Sequence, residues 1–115
     1  NPVVLTGDVH HNWANELAAD PDRPDAPGVA TEFVGTSITS NNDGEDKPAY
    51  LDALLAENPF VQYHNNERGY VRCEISSQQW RTDFRTVPFV TRRGAPVQTR
   101  ATYVVESGRP VLNRA

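Results

Sequence analysis

Asp8 and His10 are the two side chains whose types and spacing most clearly could do chemistry. They follow an apolar run that begins at Val3 and predicts a buried strand. In extended backbone, side chains two positions apart point to the same face, with Cα atoms roughly 7 Å apart. A carboxylate oxygen and an imidazole nitrogen that converge at a strand end can bind a metal ion. The alternative is a polar turn, in which Asp8 accepts hydrogen bonds from nearby backbone and His10 is exposed.

Other reactive side chains offer weaker signals. In a strand His11 would point away from Asp8, and His64 lies in a polar stretch where we expect a surface imidazole rather than a ligand. Arg68 could bind an anion such as phosphate, although pairing with a carboxylate across a hairpin is favoured. Cys73 falls on the apolar side of an alternating segment, which indicates a small buried hydrophobe.

The candidate pair does not make a complete hydrolytic centre. Such a centre needs three or more protein ligands to activate water and stabilise the leaving group. The sequence has no Ser/His/Asp spacing that predicts a nucleophile, no phosphate-binding glycine loop and no CxxC motif. We therefore assign no catalytic residue and no substrate-binding residue from the sequence.

The composition sets limits on the class of protein. The 115 residues suit a single domain, and 37% hydrophobic residues predict a modest core. The net charge of −4 gives no electrostatic case for binding nucleic acid, and the apolar runs are far too short for a membrane span. The chain has no methionine and begins at Asn1, so we expect it to be part of a longer translation product.

The elements that must position Asp8 and His10 are mostly strands. After the first strand, residues 13–17 could form a short helical turn or a loop. Residues 20–28 predict a loop rich in proline and aspartate, and residues 29–40 predict a strand rich in β-branched residues. A polar loop at 41–47 and a helix over Pro48–Asn58 follow. The polar loop could chelate calcium by composition, but it lacks the ligand spacing of an EF-hand, which favours a solvated loop.

The second half predicts further strands at 60–63, 70–76, 79–87 and 99–105. Strict alternation in 70–76 and 79–87 favours an antiparallel hairpin. The basic residues Arg92, Arg93 and Arg100 are expected on a solvated face.

Several segments, taken in order, resemble the PhoD-like alkaline phosphatases. The run Thr6-Gly7-Asp8-Val9-His10, followed by Trp13, resembles the terminal metal motif of that family. The strand within Glu32–Ser40 resembles the strand that follows the motif. The stretches Arg68–Val71 and Trp80–Arg85 resemble the closing hairpin of the family. The resemblance runs from about Val3 to Val105, which is nearly the whole chain.

This resemblance implies a calcineurin-like metallophosphoesterase fold. The expected fold class is α+β and mostly β, with residues 1–115 forming one region. That region would be the C-terminal part of a β-sandwich flanked by helices, with the upstream part absent. The terminal motif of the superfamily is commonly Gly-His-x-His, so Asp8 stands where the first histidine would be. By this match Asp8 and His10 would be metal ligands, and Trp13 would pack beside them. An oxygen ligand in place of nitrogen favours a harder metal, which agrees with the iron and calcium described for the family.

The implied function is that of an alkaline phosphatase D-like enzyme that hydrolyses phosphate monoesters or diesters. The remaining ligands of the family lie upstream of the matched region, so we expect this chain alone to be an incomplete and inactive catalyst. The missing N-terminal part of the domain is then an expected partner, and the family implies a secreted or periplasmic location. The alternative is a non-catalytic β-rich binding or interaction module that kept the scaffold.

Overall fold

The computed structural model describes residues 1–23 and 25–115, and it contains two four-stranded sheets. The first sheet consists of β1 (Val3–Thr6), β2 (Asn12–Ala18), β3 (Gly28–Val34) and β4 (Val61–Asn65). The second consists of β5 (Arg68–Ile75), β6 (Gln79–Val87), β7 (Gln98–Glu106) and β8 (Asn113–Arg114). One helix, α1 (Leu51–Glu57), precedes β4. The expected mostly-β sandwich is confirmed.

The first sheet has the order β1-β3-β2-β4, with β1 parallel to β3 and the other pairs antiparallel. The prediction of a loop or helical turn at 13–17 is wrong, because these residues belong to β2. Asn12, Ala14 and Asn15 of this strand are all buried. Burial therefore does not alternate along β2, and the sequence lacks the alternating pattern that would have predicted a strand. Pairing with β3 on one side and β4 on the other makes the segment extended, despite the low strand propensity of asparagine and alanine.

The second sheet is an antiparallel meander in chain order. The predicted hairpin is confirmed as β5 and β6, which pair from Arg68 opposite Val87 to Ile75 opposite Trp80. Asp83 of β6 is buried even though the alternation of residue types places it on the face opposite Phe84. Its carboxylate accepts hydrogen bonds from the side chains of Arg72, Arg81 and Thr102. Burial alone would raise the pKa of Asp83, but these hydrogen bonds outweigh it and lower the pKa.

The core lies between the two sheets. It is built from Ala14, Phe33, Tyr63, Phe84, Ala101, Tyr103, Val105 and Leu112. Phe84 is fully buried, and its ring centroid lies 4.9 Å from that of Tyr63 and 6.2 Å from that of Phe33. Because Phe84 belongs to the second sheet and the other two rings to the first, this aromatic cluster joins the two layers.

Some elements differ from their predicted bounds. The predicted buried strand at Val3 is the edge strand β1, and the Leu5 side chain is 54% exposed. The strand predicted at 29–40 ends at Val34, and the helix predicted over Pro48–Asn58 covers only Leu51–Glu57. Cys73 is half-buried. The predicted loop at 20–28 includes Pro24, which lies outside the described residues. In the part of the chain that the structure describes, no helix is long and apolar enough to cross a membrane.

Candidate metal centre

Asp8 and His10 lie in a bend of residues 7–11 that joins β1 to β2. Both residues have left-handed backbone, with φ of 73° at Asp8 and 59° at His10. Aspartate and histidine are among the few residue types enriched in that conformation. The prediction that both side chains share the face of an extended strand is therefore wrong in its geometry. The structure instead places them two residues apart in one bend, with Asp8 exposed and His10 half-buried.

The His10 side chain is held by a residue 31 positions away. Its Nδ1 forms a hydrogen bond with the Oδ1 of Asn41. With the Asn41 amide in this orientation, its Oδ1 can only accept, so the contact requires a proton on Nδ1 and leaves the lone pair of a neutral ring on Nε2. The backbone of His10 is held as well, because the Thr36 hydroxyl donates to its carbonyl oxygen over 3.0 Å. The loop that follows β3 thus contacts both the ring and the main chain of His10.

Asn12 fixes the end of the bend from inside the protein. Its side chain has no solvent exposure, and its Oδ1 accepts a hydrogen bond of 3.2 Å from the Thr36 backbone N–H. Its Nδ2 donates over 3.1 Å to the Oδ1 of Asn65 in β4. Because a buried amide that loses its partners costs about 1–3 kcal/mol, these bonds keep the bend in one position.

Asn65 connects this network to a buried ion pair beneath β4. Its Nδ2 donates to Glu67 over 3.1 Å, and Glu67 also accepts from Arg100 over 2.7 Å and from the hydroxyl of Thr86 over 3.0 Å. Burial alone would raise the pKa of Glu67, but the hydrogen bonds from Arg100, Asn65 and Thr86 outweigh it and lower the pKa. The expectation that Arg100 lies on a solvated face is wrong, since the side chain is 29% exposed and paired.

Arg68 is a buried cation without a carboxylate partner. Its residue is 1% exposed, and among the described residues no acidic side chain lies within ion-pair distance of it. Its Nη1 donates to the Ser37 hydroxyl and the Ser40 carbonyl over 3.0 and 2.7 Å. Its Nη2 donates to the carbonyl and side-chain oxygens of Asn66 over 2.6 and 2.8 Å. The prediction of cross-strand pairing with a carboxylate is therefore wrong, and Arg68 instead anchors the loop that follows β3. Burial lowers its pKa.

An aromatic cluster packs beside the bend. The Trp13 ring lies 4.2 Å from that of His64 and 6.5 Å from that of His11. His64 is 2% exposed, so the expectation of a surface imidazole is wrong, and its Nε2 hydrogen-bonds the Tyr50 hydroxyl over 2.9 Å. Burial, with a smaller contribution from His11, lowers the pKa of His64 to about 4. Burial, then the charges of Arg68 and His10, lowers the pKa of His11.

The donor set fits part of a metal centre. Over residues 1–23 and 25–115, no three histidine, cysteine, aspartate or glutamate side chains lie together as a metal-binding group. Asp8 offers an exposed carboxylate, and the Asn41 contact leaves the Nε2 lone pair of His10 free to coordinate. Asp8 and His10 would thus offer one oxygen and one nitrogen donor, fewer than a complete metal centre needs.

Sequence reasoning missed Asn12, Asn41 and Arg68 as supports of the bend. The pair Asn41-Asn42 was recognisable as a turn, and both residues have left-handed backbone. Nothing in the local sequence connects this turn to His10, because the contact depends on the path of the chain after β3.

Comparisons with known proteins agree with the resemblance seen in the sequence. The family model described as "PhoD-like phosphatase" matches residues 1–84. "Alkaline phosphatase D" of Bacillus subtilis (strain 168) is 47% identical over 114 residues, which are 99% of this chain and 20% of that protein. The solved structure described as "Structure of PhoD" matches with a TM-score of 0.92 at 47% identity, over 98% of this chain and 22% of the solved chain. The chain therefore spans about a fifth of the length of these relatives.

Proposed function

The chain belongs to the PhoD-like phosphatase family, and from this membership we propose that it is the metal-binding C-terminal part of a phosphatase that hydrolyses phosphate monoesters or diesters. The observation that carries the proposal is the bend between β1 and β2. There an exposed carboxylate and a half-buried imidazole lie two residues apart in one bend, in a chain 47% identical to an alkaline phosphatase. Asp8 and His10 are the two proposed ligands.

Iron and calcium are the metal ions we propose for this centre. Carboxylate oxygen suits hard cations such as Ca²⁺, while an imidazole nitrogen suits iron. A bound metal would supply Lewis acidity, which activates an oxygen nucleophile and stabilises negative charge on the phosphoryl oxygens. Within this chain, Asp8 would contribute a negatively charged oxygen donor, and His10 would contribute its Nε2 lone pair. The buried Asn12 and the half-buried Thr36 hold the His10 end of the bend, so the His10 backbone would not have to be ordered when a metal binds.

The remainder of a longer phosphatase is the partner we propose for the open side of the first sheet. β1 is an edge strand, and Val4, Leu5 and Val9 are 39%, 54% and 58% exposed. Exposed apolar side chains on an unpaired edge favour coverage by further structure. The relatives are about five times as long as this chain. A protein of that length would have enough further residues to cover the exposed edge of β1 and to provide the remaining metal ligands. A secreted or periplasmic location is proposed from the family alone.

The proposal is tested with the full-length gene product that carries this chain. Hydrolysis of an aryl phosphate is measured with iron and calcium present, in the wild type and in Asp8→Asn and His10→Gln. The exposed Asp22 lies beyond the far end of β2, so Asp22→Asn is a matched control. We expect both site variants to lose at least ~100-fold in kcat/KM, as removal of metal-centre groups does, and the control to keep wild-type activity.

Three results would contradict the proposal. Wild-type activity in both site variants would show that the bend takes no part in hydrolysis. Robust turnover by the 115-residue chain alone would show that this chain needs no ligands from elsewhere. An inactive full-length protein that also binds no metal would contradict it too, and would support the alternative of a non-catalytic binding module.

A further inference from the structure

The contact between Asn41 and His10 bears on which imidazole nitrogen would be available to a metal. Neutral histidine exists as two tautomers, and each leaves its lone pair on a different nitrogen. Asn41 Oδ1 accepts from Nδ1, so this contact is compatible only with the tautomer that has Nε2 unprotonated. Metal-binding histidines generally donate their other N–H to an oxygen in this way, and loss of the oxygen typically costs 10–100-fold in metal affinity.

The position of Asn41 is determined by the loop 36–42 rather than by His10. Asn41 and Asn42 have φ of 75° and 56°, a conformation that asparagine adopts more readily than most residues. The start of the loop is tied to the bend by Thr36, which donates from its hydroxyl to the His10 carbonyl and from its N–H to Asn12. The loop therefore contacts His10 at both its backbone and its ring.

Arg68 holds the other side of the same loop. Its guanidinium donates to Ser37 and to the carbonyl of Ser40, the residue directly before Asn41. The Gly69 N–H adds a backbone hydrogen bond of 3.0 Å to the Ser37 carbonyl. A buried guanidinium that is hydrogen-bonded only to neutral oxygens cannot move outward without losing several bonds at once, so it restricts the loop to one arrangement.

We propose that Asn41 is a positioning residue for the metal ligand His10, and that the buried Arg68 anchors the loop that presents it. Asn41 acts through the imidazole: it fixes the Nδ1–H tautomer and the ring orientation, and it leaves Nε2 as the coordinating atom. This inference rests on the proposed function, since it takes His10 to be a ligand.

The test compares Asn41→Ala with Asn42→Ala in the full-length gene product. Both substitutions remove an exposed asparagine amide from a left-handed position, so the loss of backbone preference is matched. Asn41→Asp keeps an accepting oxygen and is the rescue variant. Nitrogen NMR of metal-free protein labelled with ¹⁵N-histidine reports the tautomer of His10 directly, at a pH above the ordinary imidazole pKa of about 6.5. The His10 signals are assigned by their loss in His10→Gln.

We expect His10 to be the Nδ1–H tautomer in the wild type, Asn42→Ala and Asn41→Asp, and to become a mixture of tautomers in Asn41→Ala. Equilibrium dialysis against Fe²⁺ should give an affinity about 10–100-fold lower for Asn41→Ala, with the other two variants near the wild type. The inference is overturned if wild-type His10 carries its proton on Nε2, or if Asn41→Ala matches Asn42→Ala in both measurements. Failure of the proposed function is distinct: His10→Gln would then leave Fe²⁺ affinity unchanged, whatever the tautomer.

Discussion

His64 should make the stability of this chain fall in mild acid. The imidazole is 2% exposed and packs against the rings of Trp13 and Tyr50, where burial lowers its pKa from 6.5 to about 4. Below pH 6.5 the unfolded chain binds a proton at His64 that the folded chain does not bind. The contribution of His64 to the free energy of unfolding is therefore fully present above pH 6.5 and is lost as the pH falls toward 4.

The size of this effect follows from the two pKa values. A shift from 6.5 to about 4 gives a total loss of about 3 kcal/mol, and about 2 kcal/mol of it falls between pH 7.5 and pH 5. A loss of this size is a large part of the free energy of unfolding of a small domain, which is about 5–15 kcal/mol.

The assay is urea unfolding of the chain at pH 7.5 and pH 5, followed by tryptophan fluorescence, with His64→Gln beside the wild type. His64→Gln removes the titrating group, so its stability should change by about 2 kcal/mol less between the two pH values. Tyr50→Phe is the matched control, because it removes the hydrogen bond to His64 and keeps the imidazole. It should lower stability at both pH values and retain most of the acid loss. Equal pH dependence in the wild type and His64→Gln would refute the reasoning.

Three further substitutions test the packing that supports the bend, each by urea unfolding at pH 7.5 unless stated. Phe84→Ala should cost about 3–5 kcal/mol, because it removes a fully buried ring that joins the two sheets; a cost below ~1 kcal/mol would contradict this core. Gly69→Ala should cost at least ~2 kcal/mol, because a Cβ there would lie 1.9 Å from the Arg85 carbonyl oxygen; unchanged stability would exclude this close approach. Glu67→Gln should cost about 1–3 kcal/mol at pH 7.5, because it removes the buried carboxylate 2.7 Å from Arg100 and leaves that cation only Asp46, 3.8 Å away, as a charge partner. Because the pKa of Glu67 is lowered, that cost should shrink as the pH falls below about 4, and a cost independent of pH would contradict the ion pair.

The sequence predicted the elements whose residue types alternate along the chain. β5 and β6 alternate in this way and pair as the predicted hairpin, although Asp83 on the polar face of β6 is buried as well. β2 was missed because Asn12, Ala14 and Asn15 are buried by strands on both sides and by the second sheet, and not by their own propensity. β1 was predicted to be buried because its residues are apolar, yet in this chain it is an edge strand.

The candidate site was only partly predictable. The spacing of Asp8 and His10 selected them because residues two apart share a face of an extended strand. Both residues have left-handed backbone, so that argument does not apply to them. The resemblance to the phosphatase family was the sounder guide, since it depends on the order of several segments and not on local conformation. The burial of His64 and Arg68 could not be predicted, because it depends on Trp13, Tyr50 and the loop 36–42, which reach these side chains only through the fold.

The bound metal content of the full-length gene product tests the central claim most directly. Elemental analysis after dialysis, with Asp8→Asn, His10→Gln and the control Asp22→Asn, counts iron and calcium per protein molecule without relying on a substrate. We predict that each site variant loses at least one metal ion that the wild type and Asp22→Asn retain. Unchanged iron and calcium in both site variants would contradict the claim that the bend between β1 and β2 is part of a metal centre.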